Sequence, residues 1–305
     1  MHEKWKTLKR QFEWNKYLLL LALPGVIYFI IFHYIPMYGV TIAFKDYSPR
    51  FGILGSPWIG FRFFQQFFNS IYFGRLVRNT LLLNIYNLLW GFPAPIILAL
   101  ILNEFRKSFF KSFVQTVSYL PHFVSTVVVV GIMLNFLSPN DGLLNRLLTG
   151  YGFPQVNLMS DIRWFRTLYV GSGIWQTCGW NSIIYLAALS GINPELYESA
   201  EIDGAGRWKQ MVYITLPSIL PTIMILFILN MGRLMSVGFE KILLMYSPAT
   251  YEVADVISTF VYRRGILDNQ FSFGSAVGLF NSVVNVMLLV ITNHVSKRVN
   301  DTALW

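Results

Sequence analysis

Six stretches without Asp, Glu, Lys or Arg recur along the chain: Tyr17 to Phe44, Asn79 to Asn103, Ser112 to Asn140, Thr167 to Pro194, Gln210 to Gly232 and Phe271 to Ser296. Each exceeds the roughly 20 apolar residues that a helix needs to cross the hydrocarbon core of a bilayer. The pattern predicts an all-α polytopic membrane protein with six transmembrane helices. Pro24, Pro36, Pro93, Pro95, Pro121, Pro217 and Pro221 fall inside the stretches, so kinked helices are expected, with neighbours satisfying the carbonyls that prolines free.

Between the fourth and fifth stretches lies a polar connection, 194–217, with four carboxylates, Glu195, Glu198, Glu201 and Asp203. Its punctuation is that of a short helix. Asn193 can cap it, Pro194 fits the first turn, Glu195 and Glu198 suit the positive N-terminal end, and Gly204 can close it in a left-handed conformation. A second helix is expected to enter the membrane at about Met211. Carboxylates held in water beside a bilayer point to a docking partner.

Composition agrees. Apolar residues make up 54% of the 305, charged residues 13%, and mean hydropathy is +0.50, well away from a soluble domain. An even number of spans puts both termini on one side, together with the 104–111 and 195–209 connections. Half of the 24 Lys and Arg lie there in roughly half the connecting length found opposite, so that side is expected to be cytoplasmic. The N-terminal Lys4, Trp5, Lys6, Lys9, Arg10, Phe12 and Trp14 suit an anionic lipid surface. No soluble module carries a nucleic-acid function despite the net charge of +9. The first span is too long for a cleaved signal peptide.

Chemistry of other kinds is sparse. Cys178 is alone, and His2, His33, His122 and His294 stand at unrelated spacings, so neither a disulfide, a metal cluster nor a nucleophilic triad is indicated. No Gly-x-x-x-x-Gly-Lys-Ser/Thr occurs, which excludes a phosphate-cradling loop of that kind. The spans carry no Asp, Glu, Lys or Arg that could relay protons or sodium ions, with His33 and His122 as titratable groups, and no ring-type filter of a channel is visible. Both points count against a secondary transporter and a passive channel.

Glu198-Ser199-Ala200, Asp203-Gly204-Ala205 and Ile214-Thr215-Leu216-Pro217 resemble, at matching spacing, the cytoplasmic signature of the membrane subunits of binding-protein-dependent ABC importers. Ser199 replaces the family's Ala. Trp14 to Gly25, Tyr38 to Tyr47, Tyr246 to Gly265 and the ending at Trp305 resemble the oligosaccharide/polysaccharide branch of these permeases. The resemblance implies a type I importer permease fold in a bacterial cytoplasmic membrane. It also implies a second permease subunit, two ATPase subunits that bind ATP and Mg, and an extracytoplasmic solute-binding protein. In the family the 194–217 segment seats on the ATPase, which assigns that role here to Glu198, Ser199, Ala200, Asp203, Gly204, Ala205, Leu216 and Pro217. The chain itself is expected to bind no cofactor and to catalyse no reaction.

A sugar has apolar ring faces and a belt of hydroxyls, so its pathway needs aromatic faces with amides. Trp175, Gln176, Trp180, Asn181 and Tyr185, with Asn87 and Asn230, are the candidates. Helix–helix hydrogen bonding is the competing role for each. Gly171, Gly173 and Gly179 are expected to permit close packing. The expected organisation is a first helix with its loop over 1–74, a transport core over 75–296, and a tail over 297–305. Within the long 233–268 connection, 252–263 reads as a surface helix with Val256, Ile257 and Phe260 on one side, suited to docking on a partner.

Overall fold

The structure, a computed structural model, describes the backbone of residues 2–105 and 108–300 and the side chains of residues 15–105 and 109–298. The side chains of the basic N-terminal tail, Arg106, Lys107 and the end of the chain at Trp305 lie outside the described residues. Among the described residues the chain is helical throughout, with one isolated β-bridge between Lys45 and Trp58.

Four helices are long and apolar enough to cross a membrane: Asn15–Phe44, Phe73–Glu104, Arg207–Met231 and Phe271–Arg298. The third expected span differs from expectation. It consists of Phe109–Phe123 and Thr126–Phe136, which meet at a 97° bend. Two features of the sequence make the break. Pro121 sits in a 3₁₀ turn, Leu120–Phe123, and Ser125 adopts extended backbone and caps the second helix, its hydroxyl accepting from Val128 N. The stretch expected as the fourth span is the unbroken 29-residue helix Ile162–Ser190, about 43 Å long at 1.5 Å per residue. It is too polar to rank with the first four by composition alone.

Prolines shape the other helices as expected. A proline has no N–H, and its ring collides with the carbonyl four residues back. Just before Pro36, Pro93 and Pro217 the chain widens into single π turns, Ile30–Tyr34, Asn87–Gly91 and Met211–Thr215. There the N–H groups of Ile35, Phe92 and Leu216 reach back five residues, to Ile30, Asn87 and Met211. Such turns bend a helix without breaking its hydrogen-bonded ladder.

Three apolar clusters hold the bundle together. Ile96, Ala99, Tyr185, Leu189 and Ile219 join three helices near the 194–217 connection. Phe67, Leu76, Met235, Ile257, Phe260, Phe273 and Val277 form the second, and Leu83, Val130, Phe165, Val237, Ile242, Met245, Ala254 and Val256 the third. Gly179 packs against the Ser118 backbone so closely that a Cβ would overlap its carbonyl, as expected, whereas Gly171 faces open space. The first span is the exception: none of its most apolar 18-residue window is buried within the chain.

The 252–263 segment is not a surface helix. It divides into Tyr251–Ala254 and Ile257–Val261, and Val256, Ile257 and Phe260 are buried inside this chain. The cause is a polar knot around Asp255, which is fully buried. Its Oδ2 accepts from Arg263 at 2.7 Å and Arg75 at 3.3 Å, and its Oδ1 accepts from the Thr259 hydroxyl at 3.0 Å. Asn79 Nδ2 donates to the carbonyls of Glu252 and Asp255, and Thr80 Oγ1 accepts from Ile257 N. A helix through Asp255 would leave these backbone groups without those partners.

Candidate functional site

Two sites stand out, at opposite ends of the Arg207–Met231 helix. The first is the polar connection. The helix Pro194–Ile202 starts as the sequence indicates, with Asn193 Oδ1 accepting from Glu195 N at 3.1 Å. It ends at Gly204, whose φ is +74°, a conformation that costs glycine little and other residues more. Ala205 N bonds Ala200 O at 2.8 Å and Gly204 N bonds Glu201 O at 3.0 Å, closing the last turn by the six-to-one bond of a Schellman motif. The next helix begins at Arg207, four residues before Met211, with Gly206 in extended backbone as its N-cap.

No residue of Pro194–Ile202 is buried. Glu198, Ser199, Asp203 and Gly204 are exposed, Ala200 and Ala205 half-buried, and Ile202 is 87% exposed. Leu216 and Pro217 instead belong to the base of the Arg207–Met231 helix. One polar contact ties the two elements: the Tyr197 hydroxyl lies 3.0 Å from Thr215 Oγ1, and Thr215 is itself buried. Gln210 Nε2 adds a bond to Ala205 O at 2.9 Å.

The second site is a cavity of about 380 Å³ enclosed by the Phe73–Glu104, Ile162–Ser190 and Arg207–Met231 helices and the turn that follows the last. Asn84, Asn87, Asn181, Asn230, Tyr185, Thr177, Ser236 and Arg233 line it. The Asn84 and Asn230 amide N–H₂ groups donate to Thr80 O and Leu226 O on their own helices, which leaves their oxygens to accept. Asn87 Oδ1 occupies the space that Gly91 leaves; a Cβ there would lie 2.6 Å from it.

The seven residues suggested for a sugar pathway are thus sorted by geometry. Asn87, Asn181, Tyr185 and Asn230 meet at the cavity. Gln176 and Trp180 face the bent third span. Gln176 Nε2 donates to Val124 O at 2.9 Å, satisfying a carbonyl at the break. Trp180 stacks on His122 with ring centroids 4.5 Å apart and planes within 3°, and meets Phe123 edge-on at 5.5 Å. Trp175 lines a separate apolar groove with Val117, Pro121 and Cys178. Asn84, on the second span and an amide of the kind that a sugar pathway needs, also lines the cavity, while Arg233 and Ser236 complete it and were not among the sequence candidates. Arg233 escaped notice because it falls one residue past an uncharged stretch.

Nearby, Lys241 is buried on the short helix Phe239–Met245, with Nζ 3.0 Å from Tyr169 O and 5.1 Å from the Tyr169 ring centre. Burial pulls its pKa down to about 8.

Residues 91–301 match the family described as the binding-protein-dependent transport system inner membrane component. The chain belongs to this family. It is a multi-pass membrane permease component of an ABC importer, with the all-α architecture of such subunits. It is 44% identical over 303 residues to the Bacillus subtilis (strain 168) polygalacturonan/rhamnogalacturonan transport system permease protein YteP, covering 99% of this chain and 94% of that one. Protein LplB of the same organism is 46% identical over 291 residues, 95% of this chain and 92% of its own. A crystal structure of a bacterial ABC transporter involved in the import of the acidic polysaccharide alginate contains a chain with a TM-score of 0.89 and 44% identity, over 96% of this permease component and 99% of that chain. A second structure, of a bacterial alginate transporter in complex with alginate pentasaccharide-bound periplasmic protein, contains a chain that matches with a TM-score of 0.89 and 43% identity, over 97% and 99%.

Proposed function

We propose that this chain forms the pathway for an oligosaccharide or polysaccharide in an importer driven by separate ATPase subunits. It acts with a second permease subunit and receives its sugar from an extracytoplasmic binding protein. Both termini and the 194–217 connection face the cytoplasm, and the more polar Ile162–Ser190 helix crosses the membrane as the fourth of six spans. ATP and Mg sit on the ATPase subunits.

The observation that carries the reading is mechanical. An exposed, carboxylate-bearing helix is joined through Tyr197 and Thr215 to the base of Arg207–Met231, and that helix delivers Leu226 and Asn230 to the cavity. Docking at one end is therefore connected to the cavity wall about 22 Å away. The amide oxygens of Asn84 and Asn230 suit a polyhydroxylated solute, and the named substrates of similar transporters, polygalacturonan and alginate, favour a saccharide.

The test is uptake of a labelled oligosaccharide by the full complex in proteoliposomes with loaded binding protein. Uptake should require ATP and Mg on the side of the 194–217 connection and should persist when an ionophore collapses the proton gradient. Loss of uptake with ATP still plentiful would favour a secondary transporter.

A further inference from the structure

We infer that Arg233 selects for a carboxylate-bearing sugar at the amide-lined cavity, so that the solute which crosses there is anionic. The inference rests on the saccharide reading above and adds the charge of the sugar and the residue that reads it.

Three observations support it. Arg233 lines the cavity, and no Asp or Glu lines it with Arg233. Other cations of the neighbouring loops are already engaged. Arg75 and Arg263 hold Asp255, Arg264 pairs with Asp268, and Lys241 is committed to the Tyr169 carbonyl and ring. The Arg233 guanidinium is exposed and has no ion pair or hydrogen bond among the described residues.

The backbone that carries Arg233 is also fixed. Arg233 N bonds Asn230 O at 3.0 Å, and Ser236 N bonds Arg233 O at 2.8 Å. Asn285 on the Phe271–Arg298 helix grips the same turn from the far side: its Oδ1 accepts from Met235 N at 2.8 Å and its Nδ2 donates to Ser236 Oγ at 2.9 Å. Gly232 lies so close to Leu289 that a Cβ would collide with it. A planar guanidinium on a clamped turn offers a fork of donors in a defined place, the geometry that carboxylates take in pairs of parallel bonds. The amide oxygens of Asn84 and Asn230 provide the complementary acceptors for hydroxyls. A neutral sugar would use the acceptors and leave the cation without a counterpart.

The test compares two probes carried by the full reconstituted complex, a uronate tetrasaccharide and its fully methyl-esterified, uncharged form, each measured against the parental rate for that probe. Arg233→Gln should cut uptake of the uronate about tenfold and of the ester less than twofold. Arg233→Lys should keep most of the uronate rate, because a point charge remains. Recovery of the complex should not change. Equal losses for both probes, or no loss for either, overturn the inference while leaving the saccharide reading intact. Reduced recovery of the complex with Arg233→Gln also overturns it, since Arg233 would then be pairing with a carboxylate of the second permease. A parental complex that carries neither probe overturns the saccharide reading and this inference together.

Discussion

Gln176 shows how the same side chain can serve two opposite readings. A glutamine and an indole one helical turn apart are what a sugar site needs, and Gln176 with Trp180 satisfies that pattern in the sequence. The structure gives both to the break in the third span instead, because a carbonyl freed at membrane depth must find a donor. The donor is Gln176, bonded to Val124 O. Gln176→Leu should therefore lower stability by about 1 kcal/mol, because it leaves a half-buried carbonyl without its donor. The loss should appear as a lower melting temperature and lower yield, with transport per folded complex unchanged. Asn181 and Tyr185, five and nine residues further along the same helix, do reach the cavity. Helix periodicity puts the two pairs on different sides of the helix, but it does not say which side meets the cavity, since the broken partner helix that claims Gln176 is set by Pro121 and Ser125, more than fifty residues away.

At the scale of elements, local signals were the legible ones. Asn193, Pro194 and Gly204 mark the ends of the polar helix, and the structure places its cap and its left-handed closing residue on them. Prolines placed the bends. The lengths of the spans were also readable, while the division of the third span required knowing that its β-branched run restarts as a helix at Thr126. The contact between Tyr197 and Thr215 has no sequence signature, because it depends on how two helices lean together. It is the direct side-chain hydrogen bond between the polar helix and the Arg207–Met231 helix among the described residues. Tyr197→Phe removes only the hydroxyl. Assembly and basal ATP hydrolysis should be retained, with sugar moved per ATP hydrolysed falling about threefold or more. A variant with normal transport per ATP would show that the contact is structural only.

Across the whole molecule, what the sequence left unreadable was the fate of the long connections. The 252–263 segment looked like a docking surface and proved to be interior, because Asp255 anchors it to Arg75 and Asn79 at the start of the second span. Its signature was present in a weak form, a lone carboxylate between Ala254 and Val256. Removing one partner of a buried charge cluster strands the others, typically at about 3–5 kcal/mol. Asp255→Ala should therefore reduce folded protein sharply in detergent, measured by melting temperature and by protease sensitivity in the 246–268 connection. A variant as stable as the parent would mean that the knot is solvated in the membrane.

The π turn at Met211–Thr215 has one more consequence, for the phase of the helix. A π turn inserts one residue into an otherwise regular screw, and one residue corresponds to about 100° of rotation. A wheel drawn straight from Arg207 to Met231 is therefore out of phase beyond Thr215, and it assigns Leu226 and Asn230 to the wrong azimuth. The face that meets the cavity is set by that single extra residue, just as a keyed shaft sets the angle of what it turns. The polar helix and the cavity wall are thus joined at a fixed angle as well as at a fixed distance.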